Sequence, residues 1–229
     1  MSAVGDNIRK IREDIAEAAL RAGREPSEVR LMAVTKMVDD DRILEAIDAG
    51  VDLMGENYIQ EAKRKIETMH VDVKWHMIGH LQSNKAKYAV RLFDMVHSVD
   101  RMGLAAELDK RSAAAGRMTD ILVEVNVSGE ESKSGVRADE APALVREIAS
   151  LENLSIRGLM TMPPWFDDPE EARPYFVALR ELRDKIAAEE IRGVDMRELS
   201  MGMSGDYRVA VEEGATILRI GTAIFGARV

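Results

Sequence analysis

Short apolar runs recur along the chain about every 25 residues, and a segment with helical periodicity follows each of them. That alternation constrains the fold more than any other feature. The runs are 31–36, 52–55, 74–79, 94–98, 121–127, 154–160, 198–203 and 216–221. Ile121-Leu122-Val123-Glu124-Val125-Asn126-Val127 is the clearest strand, because β-branched residues pack well on a pleated surface. The longest helical segment between runs is 168–190, where Phe176, Leu179, Leu182 and Ile186 share a face. Eight such units are the count that closes a parallel sheet into a (β/α)8 barrel. The rival is an open doubly wound sheet. Against it, no run leads into a Gly-x-Gly-x-x-Gly loop, and no Pro/Gly/Ser-rich linker divides the chain. The sequence therefore predicts an α/β fold, one (β/α)8 TIM barrel domain over residues 1–229. A helix over 6–22 precedes the first strand, with Ile8, Ile11 and Ile15 on its inner face, Asp6 as N-cap and Gly23 past its end. It is placed across the bottom or side of the barrel.

Composition removes several classes of function. The 229 residues carry a net charge of −9, which argues against a broad nucleic-acid-binding surface. Aromatic residues make up 4%, too few for a platform on which bases stack. There is no cysteine, so neither a disulfide framework nor a thiolate metal site exists, which fits a reducing compartment. No segment approaches the ~20 apolar residues that span a bilayer. The expectation is a cytoplasmic protein with neither nucleic acid nor membrane as partner.

In a (β/α)8 barrel the chemistry sits where the strands end. The candidates there are Lys36, Glu56, Asn57, His80, Ser98, Asn126, Ser128, Thr161, Ser200, Ser204, Arg219, Gly221 and Thr222. No histidine–carboxylate cluster has metal-ligand spacing, so no metal is expected. Lys36 closes an apolar run, where a cation must be solvated, paired or converted. It either reaches water or condenses with an aldehyde. Ser200-Met201-Gly202-Met203-Ser204-Gly205 precedes a helix, which makes either an ordinary cap or a seat for phosphate, and Gly221-Thr222 forms a second loop of that kind. Arg219 interrupts an apolar strand, as an anion partner or as a structural arginine paired with a carboxylate. Asn57 reads equally as a helix cap. His76, His97 and Glu124 read as hydrogen-bonded barrel residues, and Lys133 as solvated in an acidic loop.

Six stretches then carry a family resemblance: Ala33-Val34-Thr35-Lys36, Gly55-Glu56-Asn57-Tyr58-Ile59-Gln60-Glu61, Trp75-His76-Met77-Ile78-Gly79-His80-Leu81-Gln82-Ser83-Asn84-Lys85, Gly158-Leu159-Met160, Leu199-Ser200-Met201-Gly202-Met203-Ser204, and Arg219-Ile220-Gly221-Thr222-Ala223-Ile224-Phe225-Gly226. With these the chain resembles the pyridoxal phosphate homeostasis proteins, of the alanine-racemase-like barrel class (fold-type III). The resemblance implies pyridoxal 5′-phosphate (PLP) on Lys36 as a Schiff base, with Ser200, Ser204, Gly221 and Thr222 on its phosphate. It puts Arg219 on the pyridine nitrogen and Asn57 near the ring. It implies a protein that binds and releases PLP without a committed reaction, with PLP-dependent apo-enzymes as recipients. The alternative is a weak amino-acid racemase. Racemases of this class carry a second, all-β domain and a catalytic tyrosine from a partner subunit. The chain ends at Val229, directly after the eighth strand, so the expectation is a monomer whose one nearby tyrosine, Tyr58, would have to point inward.

Overall fold

The computed structural model describes residues 2–130 and 133–226. Its strands are β1 (Arg30–Val34), β2 (Leu53–Glu56), β3 (Lys74–Met77), β4 (Met95–Val99), β5 (Thr119–Asn126), β6 (Val136–Arg137), β7 (Leu154–Met160), β8 (Val194–Ser200) and β9 (Ile217–Ile220). The helices are α1 (Ala3–Arg21), α2 (Asp40–Asp48), α3 (Ile59–Met69), α4 (Ala86–Leu92), α5 (Met102–Ala115), α6 (Ala141–Ile148), α7 (Arg173–Ala187), α8 (Tyr207–Glu212) and α9 (Thr222–Phe225). The sheet order is β4-β3-β2-β1-β9-β8-β7-β5, and β4 also pairs with β5. All pairings are parallel, so eight strands close into the expected (β/α)8 barrel. The ninth, β6, is a two-residue strand beside β5 in a segment that reads from sequence as loop. Glu131 and Ser132, in the acidic loop expected around Lys133, lie outside the described residues. Lys133 itself is half-buried and pairs with Glu130 at 3.4 Å.

Two cores follow from strand alternation. Leu31, Ala33, Met54, Ile121 and Val123 face the helices and share one large cluster with Ile43, Ala62 and Leu108. Residues of the opposite parity fill the barrel interior as two small clusters: Met32, Leu53 and Ile217, then Met95, Leu122 and Met160. His76, His97, Glu124, Ser200 and Arg219 share that inner parity and are buried. Polar groups in a barrel interior must find partners in one another.

Several boundaries move. α1 starts at Ala3, with Ser2 and not Asp6 as its cap: the Ser2 hydroxyl accepts from Gly5 N at 3.2 Å, and Asp6 pairs with Arg9 at 2.6 Å. α1 lies on the barrel's side, against α2, α8 and α9. There Arg12 donates to the Ala49 and Gly50 carbonyls at 2.8 and 2.6 Å, serving the carbonyls that the end of α2 leaves unpaired. The long helix expected at 168–190 splits into a 3₁₀ turn (Pro169–Ala172), which Asp168 caps, and then α7. β8 begins four residues earlier, and ends three earlier, than the apolar pattern indicates. Its first half carries Asp195, Arg197 and Glu198, which pair with Arg157, Arg30 and each other, so the hydrophobic alternation is lost there. β1 ends at Val34, and Lys36 sits in the turn beyond it. No helix of the described residues is long and apolar enough to cross a membrane.

Candidate functional site

A cleft of about 530 Å³ opens where the barrel strands end. Lys36, Asn57, Ser204, Arg219, Gly221 and Thr222 all line it. They come from the ends of four strands, β1, β2, β8 and β9.

Asn57 follows β2 directly, so its side chain reaches the rim. Gly79 backs it: a Cβ at that position would lie 2.5 Å from the Asn57 carbonyl oxygen, so only glycine lets the two loops approach. Ser98 ties Gly79 down by donating to its carbonyl at 2.7 Å. Asn57 Oδ1 is buried and has no hydrogen-bond partner among the described residues. A buried acceptor left open is costly unless something outside the chain serves it.

The β8 and β9 ends meet through Ser204, whose hydroxyl accepts from Ala223 N at 3.1 Å. Asp206 shapes the β8 loop by accepting from Met203 N at 2.6 Å, and burial raises its carboxyl above the ordinary range. Gly202 turns the chain out of the barrel with φ +89°, and a Cβ there would stand 2.5 Å from that of Ala210. Hydroxyls and backbone amides of two loops thus converge at one side of the cleft, the chemistry of an anion seat.

Arg219 is 4% exposed and reaches the cleft from within the barrel. It donates to Ser200 Oγ at 2.8 Å and to the Thr161 carbonyl at 2.7 Å. Burial pulls its pKa down to about 10, opposed by Asp206 and Glu124, so it stays charged at neutral pH. Its hydrogen bonds go to neutral oxygens, and not to a carboxylate as a structural arginine would imply.

Ser200 departs from expectation. It is fully buried and does not line the cleft; its Oγ lies between Arg219 and His97 Nδ1, the latter at 3.0 Å. His97 Nε2 lies 2.9 Å from His76 Nδ1. Arginine only donates, so donation running from Arg219 through Ser200 and His97 to His76 satisfies each member in turn. Burial keeps both rings neutral, with His76 down to about 3 and His97 well below its ordinary value. Glu124 also faces inward; burial and the nearby Asp100 push its carboxyl up to about 7, against the pull of Arg219.

Other candidates fall away from the cleft. His80 is exposed, Ser128 donates to Asn126, and Thr161 Oγ1 is spent on the Val125 carbonyl. Tyr58 is exposed and does not line the cleft. Sequence reasoning missed Met162, Trp165 and Phe166, which form the wall after β7, Phe166 being stacked on Tyr175 of α7 at 5.7 Å. Their signal was an aromatic pair beside Pro163-Pro164 in a barrel loop.

The family model described as "Alanine racemase, N-terminal domain" matches residues 4–229. A curated pyridoxal phosphate homeostasis protein of Aquifex aeolicus is 43% identical over 224 residues, covering 97% of both chains. The protein of that name from Escherichia coli K12 is 39% identical over 232 residues, covering all of this chain and 98% of its own. The chain belongs to the pyridoxal phosphate homeostasis protein family. Among solved structures, PipY of Synechococcus elongatus, with PLP bound, superposes with a TM-score of 0.81 at 38% identity, over 93% of this chain and 100% of its own. Alanine racemase of Corynebacterium glutamicum superposes with a TM-score of 0.75 at 15% identity, over 99% of this chain and 61% of its own, a likeness of fold alone. The barrel of this homeostasis family is therefore the racemase-type barrel.

Proposed function

We propose that this protein binds pyridoxal 5′-phosphate in the cleft, holds it on Lys36 as a Schiff base and releases it, keeping the PLP pool in balance without a committed reaction of its own. The observation that carries the reading is the convergence of an amine, an anion seat, a buried guanidinium and an unserved acceptor on one cleft. Relatives matched over their full length are named for PLP homeostasis, and the PipY structure holds PLP.

The residues fit the cofactor group by group. Ser204, Gly221 and Thr222 supply hydroxyl and backbone donors for a phosphate. Asn57 Oδ1 supplies the acceptor near the ring, and Trp165 and Phe166 wall the mouth. Ser200 acts behind this layer by holding Arg219. When bound, the cofactor supplies an electrophilic aldehyde and a ring that can act as electron sink. The Lys36 amine would hold that aldehyde in a bond that forms with loss of one water and reverses on adding it. Arg219 would hold a positive charge toward the pyridine nitrogen, which would oppose protonation there. A ring left unprotonated is a weak sink for carbanion chemistry, which supports a carrier over a racemase. The protein is read as one cofactor-binding domain over residues 1–229. It is read as cytoplasmic, in keeping with the absence of cysteine, and as a monomer that passes PLP to apo-enzymes.

Borohydride reduction of the PLP-loaded protein, followed by peptide mass mapping, tests the linkage. One reduced PLP adduct on Lys36, lost in Lys36→Ala with the circular dichroism unchanged, is the expected result. A wild-type protein that neither absorbs in the visible nor takes up added PLP defeats it. Loss of optical activity from L-alanine or L-serine at about 10 per second, the middle of the enzyme range, would make the protein a racemase.

A further inference from the structure

Lys65 is among the largest fully buried side chains of the described residues, and it plays no part in the cleft. It lies on α3 with 0% of its side chain exposed. All three ammonium protons are spent within a narrow range of distance. Nζ donates to the Thr35 carbonyl at 2.6 Å, to Glu56 Oε1 at 2.7 Å and to Glu61 Oε1 at 2.6 Å. Two further bonds bind the same acceptors to the chain around Lys36. The Thr35 hydroxyl donates to Glu56 Oε1 at 2.7 Å, and the Met37 amide donates to Glu61 Oε1 at 2.6 Å.

The residue before Lys36 is thus held at its carbonyl and its hydroxyl, and the residue after it at its amide. Each of those contacts meets Lys65 directly or through one carboxylate. Met37 needs such a hold. It takes a left-handed backbone conformation, φ +57°, which a non-glycine residue adopts at a cost. The residue is 71% exposed, so packing does not fix that conformation.

Stability alone is a poor account of this cluster. A buried ion pair is often no better than apolar side chains of the same volume, because both charges lose their water. Glu56 adds to that cost, since its Oε2 is buried with no hydrogen-bond partner among the described residues. The cluster is, however, well built for fixing one turn.

We propose that Lys65, with Glu56 and Glu61, is a positioning group that locks the Thr35–Met37 turn and so sets the angle at which Lys36 enters the cleft. The proposal rests on the reading of Lys36 as the PLP-bearing residue. The two lysines then differ in role, since Lys36 meets the ligand and Lys65 holds the backbone that carries Lys36.

The test uses the full-length protein and three variants. Glu61→Ala removes the acceptor for Met37 N–H, whereas Glu61→Gln keeps an oxygen there. Lys65→Met removes the hub but risks the fold, which is why the Glu61 pair carries the decision. Two quantities are read: hydrogen exchange of the Met37 amide without PLP, and the rate of visible absorbance gain after PLP is added. Glu61→Ala is expected to speed Met37 exchange and to slow Schiff base formation by about tenfold or more each, the loss expected for a hydrogen bond to a charged group. Glu61→Gln is expected to restore most of both. Glu61→Ala with unchanged Met37 exchange overturns the proposal, whether or not PLP binds. Faster exchange with an unchanged rate of Schiff base formation also overturns it. A wild-type protein that forms no adduct on Lys36 overturns the functional reading instead, and does so without reference to the Met37 amide.

Discussion

Arg219 is a cation held in the barrel by a serine hydroxyl and a carbonyl, and its charge is what Arg219→Gln would remove. A glutamine amide can still donate to Ser200 or Thr161, so the barrel should remain folded. The cofactor's ring nitrogen would lose a charged donor. Hydrogen bonds to charged groups contribute about 1.5–3 kcal/mol, so PLP affinity in an absorbance titration should fall about tenfold or more. The absorbance maximum should move as well, because protonation of the ring is no longer opposed. Unchanged affinity and spectrum would break the assigned contact. Arg219 was legible in the sequence because a charge stands out in Ile217-Leu218-Arg219-Ile220. Ser200 was legible only as a hydroxyl near a glycine-rich turn. That its side chain faces the barrel interior and not the cleft depends on where β8 ends, and the mixed polar pattern of that strand hides this. Lys65 was not legible at all, since a lysine on an amphipathic helix ordinarily reads as solvated.

The connection from β8 to α8 carries a strict backbone requirement beside the cleft. Gly202 combines φ +89° with contacts of 2.5 Å to Ala210 Cβ and 2.8 Å to Leu218 Cδ2 for any added Cβ. Gly202→Ala must therefore distort the turn or push β9 and α8 apart. A cost of about 2 kcal/mol or more is expected, or about 4–8 °C in Tm for a chain of this size. Because Ser204 follows two residues later, PLP affinity should fall with it. A variant that matches the wild type in both would show that the turn yields easily. Element types were legible wherever apolar periodicity ran unbroken, as in β5 and α1. Boundaries failed where ion pairs replaced that periodicity, as in the first half of β8, or where one hydroxyl decided the start, as with Ser2. β6 was invisible because two residues cannot show a period.

At the scale of the whole molecule, the eight-unit alternation was enough to predict the closed barrel, because parallel strands joined by helices leave few other ways to cover both faces. His76 and His97 were legible as hydrogen-bonded barrel residues, but the polar spine that joins them through Ser200 to Arg219 was not, since strand parity becomes certain only once registers are known. That spine gives the protein a pH dependence with two opposed signs. His76 has its pKa lowered from the ordinary 6.5 to about 3 by burial, so the unfolded chain binds a proton that the folded one refuses. Its contribution is complete above about pH 6.5 and is lost as pH falls toward 3, and His97 acts in the same direction. Glu124 runs the other way. Its folded pKa is raised from 4.5 to about 7, so its contribution is complete below about pH 4.5 and is lost as pH rises through 7. That loss approaches about 3 kcal/mol at its limit. Glu124→Gln cannot ionise, so thermal denaturation from pH 4.5 to 7.5 should show the variant gaining on the wild type across that interval, by up to about 6–12 °C. His76→Gln should gain on the wild type in the opposite direction, as pH falls from 6.5. Parallel curves for Glu124→Gln would place that carboxyl in contact with water, and with it the inner end of the cleft would be wetter than the buried Arg219, Ser200 and His97 require.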